Sequence, residues 1–594
     1  MRRGGGRHEK ADFKYLKPLI KYLGKNKVPL FIAILFSILG TIFTIIGPTY
    51  VSKISDLIRQ GVVGEVEVID ISSITKTGIM LIAFYVTAWI LSYFQAYLMN
   101  IVTQKTSFGL RNDISTKINV LPLKFFDTNL IGDILSRVVN DVDSIANTLH
   151  QSVGNLFHSA TQFIGCMILM FSINWVLTLV ALASAVIGFV LMIILTKFSQ
   201  KYFSAMQKEL GQLNGHDEEI YAGHNVVKAY NAEEYEGKRF DAINARFKFV
   251  NFRAHFIGGI MQPIMGFSGN LGYVAVCIVG AAMVASGQIT FGVVVAFMMY
   301  IRMFSQPLQQ FGQVFTQLQS CAAASKRVFA FLEETELEND SDKPALIPEG
   351  TAKGDIEFRN VKFGYNEDKI IIKNFSATAG AGKKVAIVGP TGAGKTTMVN
   401  LLMRFYETNE GSIFIDGHDT KDMSRAEVHS LFGMVLQDTW LFEGTFKENI
   451  KYNKDVSDED IIRAAKMAGI HHFIMTMPQG YDTVLDEEAN VSAGQKQLIT
   501  IARAMVEDAP FLILDEATSS VDTRTEQLIQ DAMDKLMSGR TSFIIAHRLS
   551  TIRNADLILV MKDGDIIEHG SHDELIAQNG FYADLYNSQF DQID

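Results

Sequence analysis

The chain has 594 residues, too many for one hydrophobic core, so at least two domains are expected. Hydrophobic residues make up 48%, charged residues 20%, and cysteines number only 3, which excludes an intrinsically disordered chain, a collagen-like fibre and a disulfide scaffold. Charge is divided unevenly: residues 1–330 carry 29 Lys+Arg against 19 Asp+Glu, a net of +10, and the remainder carries a net of −20. Cys166, Cys277 and Cys321 sit among apolar or small residues without metal-ligand spacing, and read as packed free thiols.

Residues 1–27 hold nine Lys and Arg against Glu9 and Asp12, and Phe13–Leu23 interleaves Lys with Phe, Tyr and Leu. That pattern predicts an interfacial elbow helix along the inner leaflet. Four windows then lack any Asp, Glu, Lys or Arg: Val28–Val51, Thr77–Gln104, Ser144–Thr196 and Ala254–Ile301, of 24, 28, 53 and 48 residues. A spanning helix needs about 20 apolar residues, and a buried core helix runs to about 10–14. The first two windows hold one span each. The longer two hold two each, divided at Ser172-Ile173-Asn174-Trp175 and at Ser286-Gly287-Gln288. Six spans follow. The first starts too late for a cleaved leader. The loop after it is acidic (Asp56, Glu65, Glu67, Asp70), so the positive-inside rule puts both termini in the cytoplasm.

Residues 105–143 and 197–253 are charged yet helix-compatible, and are expected to carry membrane helices beyond the bilayer. Within them, Leu123–Asp133 and Ala222–Tyr230 are candidate bends for docking on another domain. Phe331–Gly354, acidic and containing Pro344 and Pro348, reads as a linker. The expected domains are a cytoplasmic N-terminus (1–27), a six-helix membrane domain (28–330), the linker (331–354) and a last folded domain (355–594). The fold class is an α-helical six-span transmembrane domain followed by an α/β domain, identified by its motifs.

In that last domain Ile356–Phe363 alternates as a strand should. Lys384-Val-Ala-Ile-Val-Gly389 is a short buried strand running into Gly389, Pro390, Thr391, Gly392, Ala393, Gly394, Lys395, Thr396 and Thr397. This matches the phosphate loop G-x-x-x-x-G-K-[ST]. Its backbone N–H groups wrap phosphate oxygens, and the helix that follows points its positive end at them. Lys395 is expected to reach the β- and γ-phosphates, with the Thr396 hydroxyl on Mg²⁺. A second apolar strand, Phe511–Leu514, ends in Asp515 and Glu516, 120 residues beyond Lys395. Asp515 suits a Mg²⁺-bound water and Glu516 the attacking water. Phe543–Ala546 is a third such strand, ending in His547, a candidate phosphate sensor.

These motifs resemble the nucleotide-binding domain of ABC transporters, and the chain over 13–590 resembles an ABC exporter half-transporter. The most specific element is Val491-Ser492-Ala493-Gly494-Gln495, similar to the signature Leu-Ser-Gly-Gly-Gln. The resemblance implies that Tyr365 stacks on adenine, Gln437 links Mg²⁺ to the membrane domain, and Ser519–Asp522 form the D-loop. It makes His547 the switch histidine and the two bends coupling helices. Ser492 and Gly494 open a helix, a second anion site, which in the family closes on the nucleotide of the opposite subunit. A dimer is therefore implied. Val491 and Ala493 depart from the signature, and Leu485–Asn490 lacks a Gly-Glu-x-Gly segment. With Ser519–Glu526, this is similar to the subunit of heterodimeric bacterial exporters that keeps the catalytic Glu, so a heterodimer is the expectation and a homodimer the alternative.

The resemblance implies ATP-driven, multidrug-type export of amphipathic or hydrophobic compounds across the bacterial cytoplasmic membrane by alternating access. A lipid or lipopeptide flippase is the alternative and an ATP-gated channel or sensor a more distant one, since a gate has less need of Glu516 and His547. An importer does not fit membrane and ATPase parts in one chain with no substrate-binding domain before them. ATP, Mg²⁺ and membrane lipid are the implied partners, and nucleic acid is not. Met261, Met265, Met298, Met299 and Met303 with Phe267, Phe297 and Tyr300 read as a soft substrate lining or as ordinary helix packing. The uncharged windows leave no evident counter-ion for a charged substrate.

Overall fold

The computed structural model describes residues 13–63, 69–348, 350–366, 369–437, 439–485, 491–515, 522–545 and 552–590. Two compact units emerge: one runs to Asn119 and resumes over Ile131–Glu334, and the other joins Val120–Leu130 to the chain from Thr335 onward. The segment around the first bend thus departs from a contiguous division. Its short helix Leu123–Thr128 places Asp127 on the Tyr406 hydroxyl, and the Val120 carbonyl accepts from Leu337 N at 2.9 Å. Those bonds tie it to the C-terminal unit.

In the first unit a 3₁₀ turn, Phe13–Tyr15, runs into the helix Leu16–Leu23. Six helical stretches long and apolar enough to cross a membrane follow among the described residues: Lys27–Val62, Ile71–Val120, Ile131–Ile173, Trp175–Ala222, Glu233–Ala285 and Phe291–Leu332. At 1.5 Å per residue, a helix of 48 residues such as Trp175–Ala222 is about 70 Å long, far beyond a hydrocarbon core of about 30 Å. The charged stretches therefore continue the spans, as their composition implied. Breaks fall at Asn174, whose side chain caps the next helix by accepting from Leu177 N at 3.0 Å, and over Ser286–Thr290. The second bend is the short helix His224–Ala229, with no buried residue.

Backbone satisfaction governs the interior of these spans. Pro307 lies inside the sixth helix and has no N–H to offer the Met303 carbonyl one turn back. The Gln162 amide of the third span supplies the missing donor at 2.8 Å. Three further pairs link the same two helices: Ser159 donates to Gln310, Ser152 donates to Gln317 at 2.5 Å, and Arg327 grips the buried Asp141 with both guanidinium arms. Phe297 and Tyr300 are fully buried in this unit's core, where the Tyr300 hydroxyl donates to the Ile45 carbonyl at 3.0 Å. They are packing residues and not lining. The side chain of Met265 lies outside the described residues.

The sixth helix carries a charge that its sequence window hid. Arg302 directly follows the window's end, yet it lies eleven residues inside the helix that starts at Phe291. Arg302, Gln306, Gln313, Thr316 and Ser320 are all exposed, at spacings of 4, 7, 3 and 4 that place them on one face. The expectation that the spans hold no counter-ion is corrected accordingly. A charge-free window ends at a charge wherever that charge sits in the helix.

The second unit is built on strands β1 Ile356–Phe363, β2 Ile372–Ala379, β3 Lys384–Val388, β4 Glu410–Ile415, β5 His418–Asp419, β6 Phe432–Val435, β7 Gly444–Thr445, β8 Val484–Leu485, β9 Phe511–Asp515, β10 Thr541–Ile545, β11 Leu557–Lys562 and β12 Asp565–Gly570. The main sheet has the order β12-β11-β3-β10-β9-β6, all parallel except β12. Its central strands are buried on both faces, so they read as unbroken apolar runs. Val385, Ile387, Phe511, Ile513, Phe543 and Ile545 pack under the antiparallel sheet β2-β1-β4-β5, whereas Ala386, Val388, Leu512, Leu514 and Ile544 pack on the other side.

The β11–β12 turn is Asp563-Gly564, with φ of 50° and 85°, the pair of positive values a two-residue hairpin turn demands. A Cβ on Gly564 would stand 1.6 Å from the Ile371 carbonyl oxygen. Gly564→Ala should therefore destabilise this unit by about 2 kcal/mol or more, through φ strain and collision together. Thermal unfolding of the purified full chain checks this, and an unchanged midpoint would contradict the packing described.

Candidate functional site

Register collects the site at one sheet edge. Ile545 pairs with Ile387 on one side and with Asp515 on the other, and Val435 pairs with Leu514. Parallel strands in this register end together. The loop after β3, Asp515 at the end of β9 and Gln437 two residues beyond β6 consequently converge at the carboxyl edge of the sheet.

From Val388 the chain turns through Gly389–Gly394 into the helix Lys395–Leu402. Gly392 and Gly394 hold φ of 85° and 104°, which side chains rarely adopt, and a Cβ on Gly394 would meet the Ile372 side chain at 2.8 Å. Lys395 folds back over this loop, its Nζ donating to the carbonyls of Gly389 at 2.7 Å and Pro390 at 3.2 Å. Burial pushes the Lys395 pKa down while the Asp515 carboxylate acts in the opposite sense, and burial prevails. Its charge is under-compensated, which favours an incoming anion.

A cleft of ≈ 930 Å³ opens here, lined by Thr391, Gly392, Gly394, Lys395, Thr396, Thr397, Gln437 and Asp515, and also by Lys369, Ile370, Ile371, Lys373, Ile545 and Asp563. The second group was not singled out from sequence. The segment from Lys369 to Lys373 is held by the Ile371 N–H on the Phe363 carbonyl at 2.8 Å and by the Lys373 N–H on the Gly564 carbonyl at 3.2 Å, the latter a contact that no local pattern encodes. Thr396, Gln437 and Asp515 offer hydroxyl, amide and carboxylate oxygens, the hard donors a Mg²⁺ ion takes. Among the described residues no group of three or more His, Cys, Asp or Glu forms a metal site, so an ion here would share its shell with phosphate and water. The residues present fit that requirement.

Tyr365, expected on adenine, packs edge-on against Phe363 and Tyr406, with ring centroids 5.1 and 4.9 Å away. Its hydroxyl donates to Thr397 at 3.3 Å and accepts from Asn400 at 3.2 Å, so it is fastened to the helix that follows the phosphate loop. Tyr406 continues the contact to Asp127, and burial with that carboxylate raises the phenol's pKa.

Ser492 caps the helix Ala493–Glu507 in a reciprocal arrangement. Its side chain accepts from Gln495 N at 3.3 Å, and the Gln495 side chain accepts from Ser492 N at 2.9 Å. Both are side-chain caps for orphan helix donors. Ala493 stands at the first helical position, exposed, so its methyl group meets no local obstacle. Gly494 is buried behind it. Asp522 caps the helix Thr523–Met537, accepting from Thr525 N at 3.0 Å. Glu516, Ser519, Ser520, Val521 and His547 lie outside the described residues, as do residues 486–490.

The family described as ABC transporter transmembrane region matches residues 30–308, and that described as ABC transporter matches 372–519. A fatty acid ABC transporter ATP-binding/permease protein of Mycobacterium bovis is 45% identical over 519 residues, 87% of this chain and 82% of its own. An ATP-dependent lipid A-core flippase of Syntrophus aciditrophicus is 38% identical, covering 84% of this chain and 83% of its own. The solved structure of a bacterial Atm1-family ABC exporter with ATP bound superposes with a TM-score of 0.74 at 27% identity, covering 97% of this chain and 99% of that one.

The contacts of Lys395 generate a test. Lys395→Ala removes both the cation and the two bonds that hold the loop, so retention of labelled ATP by the purified protein should fall at least about tenfold. Retention at the wild-type level would mean that the phosphates bind elsewhere.

Proposed function

The chain belongs to the ABC transporters and is an ATP-dependent exporter, an ATPase coupled to transport through a multi-pass membrane domain, and from that premise we propose that it exports amphipathic or hydrophobic compounds by alternating access. In this reading both termini lie on the cytoplasmic side of a bacterial cytoplasmic membrane. The observation that carries it is the phosphate-loop cleft together with a sixth span that exposes polar side chains on one face from Arg302 to Ser320. A polar face cannot rest against lipid tails, so it belongs to a water-accessible path or a protomer interface.

ATP would lie in the cleft, with the loop N–H groups and Lys395 on its phosphates and Tyr365 toward adenine. Thr396, Gln437 and Asp515 would hold Mg²⁺, which when bound offsets phosphate charge. Glu516 would orient water and His547 would report the terminal phosphate. Ser492, Ala493, Gly494 and Gln495 would face the nucleotide of a second half-transporter, with Asp522 beside that interface. Support for a dimer comes from the tip around the helix His224–Ala229, where Tyr221, Val226 and Tyr230 are 83%, 61% and 80% exposed among the described residues. A non-identical partner remains our choice, on the altered signature at Val491 and Ala493.

The relatives named for fatty acid and lipid A-core transport favour lipid-like amphiphiles over a broad drug spectrum. A multidrug-type breadth is the second reading, favoured by the half-buried Met298, Met299 and Met303 of the sixth span.

Glu516→Gln should lower ATP turnover by about 10²-fold or more while ATP still binds. A bulky residue at Ser492 should reduce turnover only partly in a heterodimer and nearly abolish it in a homodimer. ATPase assays of the two variants, with and without a co-expressed partner, separate the cases. Near-normal turnover in Glu516→Gln would refute the assignment of the base, and equal damage from both changes in the chain alone would establish the homodimer.

A further inference from the structure

The polar face of the sixth span contains one charge, and its position calls for a ligand. Arg302 lies eleven residues beyond Phe291, about 17 Å along the helix, which is mid-depth for a hydrocarbon core of about 30 Å that begins at Phe291. It is exposed in the protomer. Its guanidinium stands 5.8 Å from the ring centroid of Tyr273 on the fifth span, and among the described residues no carboxylate pairs with it. An arginine at this depth is costly to insert and is kept where it faces water or a counter-ion. The Tyr273 ring holds it from one side, which leaves its donor fork free for a planar or tetrahedral anion.

Its surroundings suit an amphiphile. Met299 and Met303 flank Arg302 on the same helix, half-buried and adaptable. Just below, Pro307 removes a backbone donor, and the Gln162 amide replaces it at 2.8 Å on the Met303 carbonyl. An anionic head on Arg302 with an acyl chain along the methionines would satisfy both groups. We propose that Arg302 is the head-group site of the transport path, taking the carboxylate or phosphate of an amphiphile with a long hydrocarbon chain. This rests on the amphiphile-export reading and narrows it to anionic substrates.

The test is competition binding on the full complex in phosphatidylcholine nanodiscs, with labelled palmitate, methyl palmitate and dioleoyl phosphatidate at alkaline pH. Wild-type protein should prefer palmitate to its uncharged ester by about tenfold or more, and Arg302→Gln should abolish that preference while methyl palmitate binding changes less than about twofold. Retained ester binding also shows that the variant is folded. Arg302→Lys should keep part of the preference. If phosphatidate competes and palmitate does not, the site is a phosphate site, and the converse makes it a carboxylate site. Equal binding of acid and ester by wild type with no competition from phosphatidate, or an unchanged anion preference in Arg302→Gln, overturns the site and leaves amphiphile export standing. Loss of protomer association in Arg302→Gln with its preference intact also overturns it, since the arginine would then be an interface residue. Binding of none of the probes by wild type overturns both readings.

Discussion

The functional half of this protein depends on parallel strands that end in register. Because Ile387, Ile545 and Asp515 lie in one row across β3, β10 and β9, the chain's departures from those strands are forced to one edge. The loop after β3, Asp515 and Gln437 come from positions far apart in sequence, and only the hydrogen-bond ladder brings them together. The ladder is held by packing on both faces. The residues of each strand alternate between the core beneath the antiparallel sheet and the core beneath the helices Ala493–Glu507 and Thr523–Met537. A slip of one residue in any strand would exchange those two sets.

The membrane half obeys a different constraint, the requirement that polar groups in lipid find partners within the protein. It explains why the spans are continuous helices, why a proline in the sixth is tolerated only with a glutamine amide aimed at the carbonyl it frees, and why Ser159 of the third span meets Gln310. The same constraint makes the exposed polar face of the sixth span informative. Groups satisfied inside the protomer explain its packing, and those left facing outward point to the path or the partner.

The two helix starts that the proposed function assigns to phosphate are of unlike construction. At Lys395 the loop leaves its N–H groups and a desolvated ammonium to phosphate. At Ser492 the start is closed by its own reciprocal cap with Gln495, so an arriving phosphate would compete with that cap. In the proposed function, that cap would be the serine's resting partner until a second subunit presents nucleotide. It also separates the local tolerance of Ala493, which is exposed and unstrained, from any effect the methyl group has across an interface.

Much of this architecture was legible before any coordinates. Charge-free windows predicted six spans because length and apolarity alone decide what crosses a bilayer, and the polar breaks at Asn174 and Ser286–Gln288 fell where helices end. Apolar runs ending in Gly389 and Asp515 marked buried parallel strands, since a strand covered on both faces has no alternation to disguise it. What the sequence could not decide was lateral placement. The depth of Arg302 was concealed because a window defined by missing charge stops at the charge itself. Tyr365 was expected on adenine, and its hydroxyl proved to be tied to Thr397 and Asn400. Lys369 to Lys373 line the cleft, and Lys373 N bonds the Gly564 carbonyl, 191 residues away in the chain. Local composition determines which element forms and which of its faces is apolar, because those depend on neighbours within a few residues. Which elements then meet is decided by packing between distant segments, and only the tertiary structure contains that information.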